Sequence, residues 1–95
     1  MNAKEELLRY AANQIKCAYI CCNGNESNLR VGHTPEELDE FLNSLDYEYD
    51  NGFGNQELFG TVWLTEEGSW LDRVEYDGSE GWTYQRCPRI PEYLQ

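Results

Sequence analysis

The spacing of hydrophobic residues changes from a period of 3.6 to a period of 2 just before the middle of the chain. Over residues 38–45 the apolar side chains recur as one helical stripe, formed by Leu38, Phe41, Leu42 and Leu45. From residue 46 to residue 50 acidic and tyrosine residues alternate, as they do in a half-exposed strand. A helical pattern followed by strand patterns predicts an α+β domain and argues against an all-helical or all-β fold.

Two helices are predicted. The second has the clearer start, because residues 34–37 read Thr-Pro-Glu-Glu and so place a hydroxyl at the N-cap and Pro at the first helical position. The first is predicted over residues 3–16, with one apolar stripe. The members of that stripe are Leu8, Ala11, Ala12 and Ile15.

Short runs rich in β-branched and aromatic residues predict the strands, and Gly- or Asn-containing segments separate them. The predicted strands are residues 17–22, 29–31, 46–50, 58–65, 70–77 and 82–87. We expect one small domain over residues 1–95, with two helices packed on one face of an antiparallel sheet that ends in a three-stranded meander. Most of one aromatic set are expected in the core or in cross-strand pairs and a minority as exposed anchors of an interface; the set is Trp63, Trp70, Tyr76, Trp82 and Tyr84.

Negative charge is concentrated in the middle of the chain. The whole chain has 18 acidic and 7 basic residues and a net charge of −11. Residues 26–80 carry fifteen carboxylates against Arg30 and Arg73, a net charge of −13. This balance argues against direct binding to nucleic acid or to anionic lipid, which require a basic surface. It favours a basic partner.

The acidic residues predict an array that imitates a phosphate backbone. On an extended segment Asp46, Glu48 and Asp50 would point the same way and repeat every ~6.6–6.8 Å, comparable with the separation of neighbouring phosphates. The second helix and the later hairpins supply further carboxylates. The predicted partner-binding residues are Glu36, Glu37, Asp39, Glu40, Asp46, Glu48 and Asp50, with Glu66, Glu67, Asp72, Glu75, Asp77 and Glu80 as a second group.

The acidic runs at residues 36–50 and 66–80 resemble, in composition, those of small inhibitors made by bacteriophages and mobile elements. These are the anti-CRISPR and anti-restriction proteins and other nucleic-acid mimics. The resemblance implies a non-enzymatic inhibitor that occupies the nucleic-acid-binding surface of a larger host protein. It implies no catalytic residues and no cofactor.

The sequence leaves two alternative functions open. Residues 46–57 approach the spacing of an EF-hand loop, with Asp46, Glu48, Asp50 and Glu57 at its first, third, fifth and twelfth positions. Asn51 stands where that loop requires Gly, and a strand is predicted after Glu57. The other alternative is an acidic structural subunit or homodimer that makes its contact through an apolar face.

Other features predict a cytoplasmic protein without enzymatic activity. One histidine leaves little scope for a nucleophilic triad. The N-terminal segment is charged and amphipathic, unlike a signal peptide, and no stretch has the length of a membrane span. The four cysteines, at 17, 21, 22 and 87, lack zinc-site spacing and are expected to be reduced.

Overall fold

Two helices and a five-stranded antiparallel sheet make up an α+β fold in the computed structural model. The structure describes residues 1–11, 14–50, 55–76, 78–87 and 91–94. The strands lie in the order β2-β1-β3-β4-β5. The elements are α1 (Ala3–Ala11), β1 (Ile15–Cys22), β2 (Asn25–Leu29), α2 (Pro35–Ser44), β3 (Leu58–Leu64), β4 (Ser69–Tyr76), β5 (Ser79–Arg86) and a short 3-10 helix (Glu92–Leu94).

Helix α2 begins where the sequence predicts. The Thr34 hydroxyl accepts a hydrogen bond from the Glu37 backbone N–H at 3.1 Å, and the Glu37 carboxylate accepts one from the Thr34 N–H at 3.1 Å. These two bonds satisfy N–H groups that have no partner within the helix. Phe41 and Leu42 are buried on its inner side, which confirms the predicted stripe.

Helix α1 is shorter than predicted. It ends at Ala11, and Ile15 belongs to β1, where it lies opposite Leu64 of β3. Pairing with β3 buries the β-branched Ile15, which explains why this residue leaves the helix. The predicted stripe is also wrong in part, because α1 buries the set Ala3, Glu6, Leu7 and Ala11. Ala12 lies outside the described residues.

The chain reverses between β1 and β2 through a two-residue turn. Asn23 and Gly24 have φ values of 51° and 86°, and Cys22 and Asn25 pair directly across the hairpin. Two central residues with positive φ are typical of tight hairpin turns. Because the turn is so tight, the return strand starts at Asn25; the predicted return strand is present but covers Asn25–Leu29, so of the predicted residues 29–31 only Leu29 belongs to it.

Residues 46–50 do not join the five-stranded sheet, and the chain bends at Tyr47, whose N–H donates to the Leu45 carbonyl at 2.9 Å. The N-terminal residues hold this segment: Ala3 N–H donates to the Tyr47 carbonyl at 3.0 Å, and Asn2 forms an isolated bridge with Glu48. Tyr49 is buried and Tyr47 packs partly against the core. The predicted alternation is therefore present, but the predicted strand at 46–50 is wrong.

The two faces of the sheet differ in burial. Ala18, Val62 and Leu71 lie side by side on β1, β3 and β4 and are buried, and we call their side the inner face. One cluster of buried residues contains these side chains and apolar residues of both helices. The opposite side, which we call the open face, carries Tyr19 and the residues in register with it.

Only Trp82 is buried among the five residues of the aromatic set. Trp63 lies directly opposite Trp70, so these two do form a cross-strand pair. Tyr76 is 84% exposed and Tyr84 is 49% exposed, which contradicts a core position for either.

Candidate functional site

Most of the predicted partner-binding carboxylates lie on the surface. The exposed ones are Glu36, Glu37, Asp39, Glu40, Asp46, Glu48, Asp50, Glu66, Glu67 and Glu75. Asp72 is half-buried on the open face, and Glu80 is buried. Asp77 lies outside the described residues.

Seven of the exposed acids belong to one continuous stretch of α2 and the segment that follows it. On α2, burial of Phe41 and Leu42 leaves the acidic side chains of residues 36–40 facing solvent over about 6 Å of the helix axis. On residues 46–50, burial of Tyr49 turns the intervening acids outward. We call this set the acidic surface; it consists of Glu36, Glu37, Asp39, Glu40, Asp46, Glu48 and Asp50.

Within the described part of the chain, few cations pair with the acidic surface. The Met1 amino group lies 3.0 Å from the Glu48 carboxylate. Asp46 accepts a hydrogen bond from the neutral side-chain amide of Asn2 at 2.9 Å. The Lys4 ammonium donates to the Asn43 side chain at 3.0 Å. Since an amide partner leaves a carboxylate charged, the bond from Asn2 does not neutralise Asp46.

The second predicted group of acids is divided between two ends of the sheet. Glu66 and Glu67 lie in the turn before β4, whereas Glu75 lies near the other end of that strand. A strand of this length separates the two positions by about 25 Å. Glu66 is also paired with Arg86 at 3.2 Å. The second group therefore does not form a single surface.

Glu80 is not part of any acidic surface, which corrects the sequence prediction. Its Oε1 accepts hydrogen bonds from Arg73 at 3.0 Å (Nε) and 2.7 Å (Nη2). The same carboxylate accepts the backbone N–H groups of Glu57 and Leu58 at 2.7 and 3.1 Å. Arg73 Nη1 lies 2.8 Å from Glu6 Oε1 of α1. These contacts join α1, β3, β4 and β5 through one buried ionic cluster.

Tyr49 completes the buried ionic cluster. Its hydroxyl donates a hydrogen bond to Glu6 and accepts one from Arg73 Nη2. Burial, followed by the bond to Glu6, raises the pKa of Tyr49 above its ordinary value. The Arg73 guanidinium also lies over the Trp82 ring, 5.1 Å from its centroid. Burial alone would lower the pKa of Arg73, but hydrogen bonds to Glu80 and Glu6 outweigh it and raise that pKa.

This cluster removes Arg73 and Glu80 from the charges that a partner can reach. Arg73 and Glu80 are both nearly inaccessible, with side chains 1% and 2% exposed. Their pair is electrically neutral and internal, so Arg73 does not offset the carboxylates outside. Fourteen carboxylates of residues 26–80 then stand against Arg30 alone, and the net charge of the segment outside this pair remains −13.

The sequence analysis missed the roles of Arg73 and Glu6. One signal was available: Arg73 lies two residues after Leu71, so the strand alternation puts both side chains on the same face. Leu71 is fully buried, and Arg73 follows it inward. No comparable signal marks Glu6, whose partner Arg73 is 67 residues away along the chain.

Nothing in the described geometry favours the calcium-binding alternative. Glu57 accepts a hydrogen bond from the Asp50 N–H at 3.1 Å and is followed directly by β3. No three His, Cys, Asp or Glu side chains within the described ranges are grouped so that they could hold a metal ion. Residues 51–54 of the proposed loop lie outside those ranges.

The cysteines are free thiols. Cys22 is buried on the inner face, and burial raises the pKa of its thiol. Cys17 and Cys21 are half-buried, and Cys87 is exposed. The helices described here are too short or too polar to cross a membrane. Comparison of the chain with protein-family models, with curated proteins and with solved structures found no match.

Proposed function

We propose that this protein is a non-enzymatic inhibitor that binds the basic, nucleic-acid-binding surface of a larger protein in the host cytoplasm. The carrying observation is that the net charge of −13 in residues 26–80 remains after the internal Arg73–Glu80 pair is set aside. Concentrated charge of one sign steers an oppositely charged partner and raises its association rate. The acidic surface supplies seven of the fifteen carboxylates in this segment.

The proposal includes a finer arrangement of the fold. Both helices pack on the inner face of the sheet, and β3, β4 and β5 form a three-stranded meander. A single cluster of buried side chains drawn from both helices and all five strands supports this arrangement. It leaves the outer side of α2 free to meet a partner.

Affinity capture followed by competition tests the proposal. The immobilised protein is incubated with cytoplasmic extract of candidate bacterial hosts at about 50 mM and about 500 mM salt, where screening lengths differ about threefold. We expect mass spectrometry to identify a nucleic-acid-binding protein retained only at low salt. DNA or RNA should displace it in a binding assay with the purified target. A salt-insensitive complex that forms equally well on the nucleic-acid-loaded target would refute the proposal.

Neutralising part of the acidic surface should weaken target binding. The variant Glu36→Gln/Asp39→Asn/Glu40→Gln leaves the Glu37 capping bonds intact. We expect about a tenfold loss of affinity, at roughly 0.5 kcal/mol for each exposed charge, together with a weaker salt dependence. Calorimetric titration of the purified target measures both.

A matched control places the same charge change elsewhere. The variant Glu66→Gln/Glu67→Gln/Glu92→Gln also removes three exposed carboxylates, none of which lies on the acidic surface. It should change affinity by less than about twofold. Equal losses in the two variants would mean that net charge, and not the acidic surface, determines binding.

A further inference from the structure

The open face of the sheet exposes a group of aromatic side chains outside the core. Tyr19, Phe59 and Trp63 are 43%, 51% and 44% exposed. Trp63 on β3 lies directly opposite the half-buried Trp70 on β4. Trp and Tyr in such partly exposed positions are enriched where proteins bind one another.

Asp72 lies beside these aromatic side chains, and hydrogen bonds fix the orientation of both of its carboxylate oxygens. The Trp70 indole Nε1 donates a hydrogen bond to Oδ2 at 3.0 Å, and the Thr61 hydroxyl donates to Oδ1 at 3.4 Å. Thr61 is its direct neighbour on β3. None of the ion pairs among the described residues includes Asp72. Among the described residues, this half-buried carboxylate therefore lies on an aromatic surface without a cation partner.

The paired positions of the open face carry charge of one sign only. Glu26 lies opposite Cys21, and its carboxylate accepts a hydrogen bond from the Tyr19 hydroxyl at 3.5 Å. The Glu26 carboxylate also raises the pKa of Tyr19. No Lys or Arg of the described residues occupies a paired position on this face.

Arginine is the side chain that fits both the exposed aromatic rings and the Asp72 carboxylate of this face. A guanidinium stacks on an aromatic ring and donates a planar fork of hydrogen bonds to a carboxylate, whereas an ammonium does neither as well. A nucleic-acid strand would bring phosphates towards Asp72 and Glu26. A second copy, itself of net charge −11, would oppose like carboxylates across the contact.

We propose that the open face, centred on Asp72 and flanked by Trp63 and Trp70, binds an arginine side chain on the surface of the target protein. That this arginine belongs to a nucleic-acid-binding surface rests on the proposed function. The preference for arginine over lysine follows from the open face itself.

Titration with matched cationic peptides tests the inference. Nona-arginine and nona-lysine carry equal charge, so the acidic surface should respond to both alike in ¹H–¹⁵N spectra of the full chain. The indole N–H signals of Trp63 and Trp70 should shift with the arginine peptide at about fivefold lower concentration. The buried Trp82 indole serves as an internal reference.

Two variants test whether the preference for arginine depends on Trp63 and Asp72 of the open face. Trp63→Thr and Asp72→Asn should each abolish the preference for arginine at the open face, whereas Tyr93→Thr, at an 84% exposed aromatic residue of the 3-10 helix, should leave it intact. Equal responses to both peptides at the indoles, or an arginine preference that survives both variants, would overturn the inference. So would a dimer in sedimentation equilibrium that Trp63→Thr abolishes.

The outcome separates this inference from the proposed function. If a captured target competes with nucleic acid but binds Trp63→Thr and Asp72→Asn normally, the proposed function stands and the open-face inference fails. If the open face selects arginine but no captured protein competes with nucleic acid, arginine recognition stands and the proposed function fails.

Discussion

Replacing Arg73 by Met is expected to remove about 3–5 kcal/mol from the free energy of unfolding at pH 7. The substitution leaves the carboxylates of Glu6 and Glu80 buried without their cation, and an uncompensated buried charge is costly. A 95-residue domain has a total stability on the order of 5–14 kcal/mol. The variant should therefore unfold at a much lower urea concentration, as followed by tryptophan fluorescence.

Arg86 provides a matched control for this experiment. It lies on the neighbouring strand β5 and is also paired with a glutamate, but its side chain is 65% exposed and that of Glu66 is 49% exposed. Arg86→Met should cost less than about 1 kcal/mol, because solvent screens exposed ion pairs. Equal losses of stability in Arg73→Met and Arg86→Met would mean that burial of the Arg73 cluster does not explain the effect of Arg73→Met.

The buried ionic cluster connects stability with the proposed function. Self-repulsion among surface carboxylates destabilises the folded state. The cluster holds α1, β3, β4 and β5 together from within, and it keeps Arg73 away from the surface. The fold thus holds the Arg73 cation in its interior, paired with buried carboxylates, while its surface is strongly acidic.

Elements that depend on contacts between residues close in sequence could be predicted from local sequence patterns. The capping bonds of Thr34 and Glu37 join residues three positions apart, and the Asn23-Gly24 turn is equally local. The hairpin strands β3 and β4 also follow from local alternation and composition. Such features form wherever the short-range pattern is strong.

Features that depend on distant partners could not be predicted in this way. Ile15 continues a helical pattern in the sequence, yet its pairing with Leu64 places it in β1. Glu6 carries a charge on the buried side of α1 because Arg73 meets it there. For the candidate site, exposure of the acids on α2 was predictable from its stripe, but the aromatic environment of Asp72 depends on the register of β3 with β4.

Gly60→Ala should destabilise the protein by about 3 kcal/mol, because a side chain at this position has no room. A Cβ at residue 60 would lie 2.3 Å from the Tyr19 carbonyl oxygen and 3.0 Å from the Ile20 Cα, both backbone atoms of the adjacent strand β1. Backbone atoms cannot move aside by a change of rotamer. The pairing of β1 with β3 must therefore shift, and with it the register that brings Tyr19 beside Thr61 on the open face.

Gly81→Ala is the matched control for Gly60→Ala, because Gly81 also lies within a strand but a Cβ there would meet no atom within 4 Å. Alanine at this position should be neutral or stabilising by about 0.5 kcal/mol, since it reduces the freedom of the unfolded chain. Urea unfolding of the two variants measures the difference. Similar midpoints would mean that β1 and β3 are not packed as closely as the Gly60 contact requires, and the open face would then lack the rigid register on which arginine recognition depends.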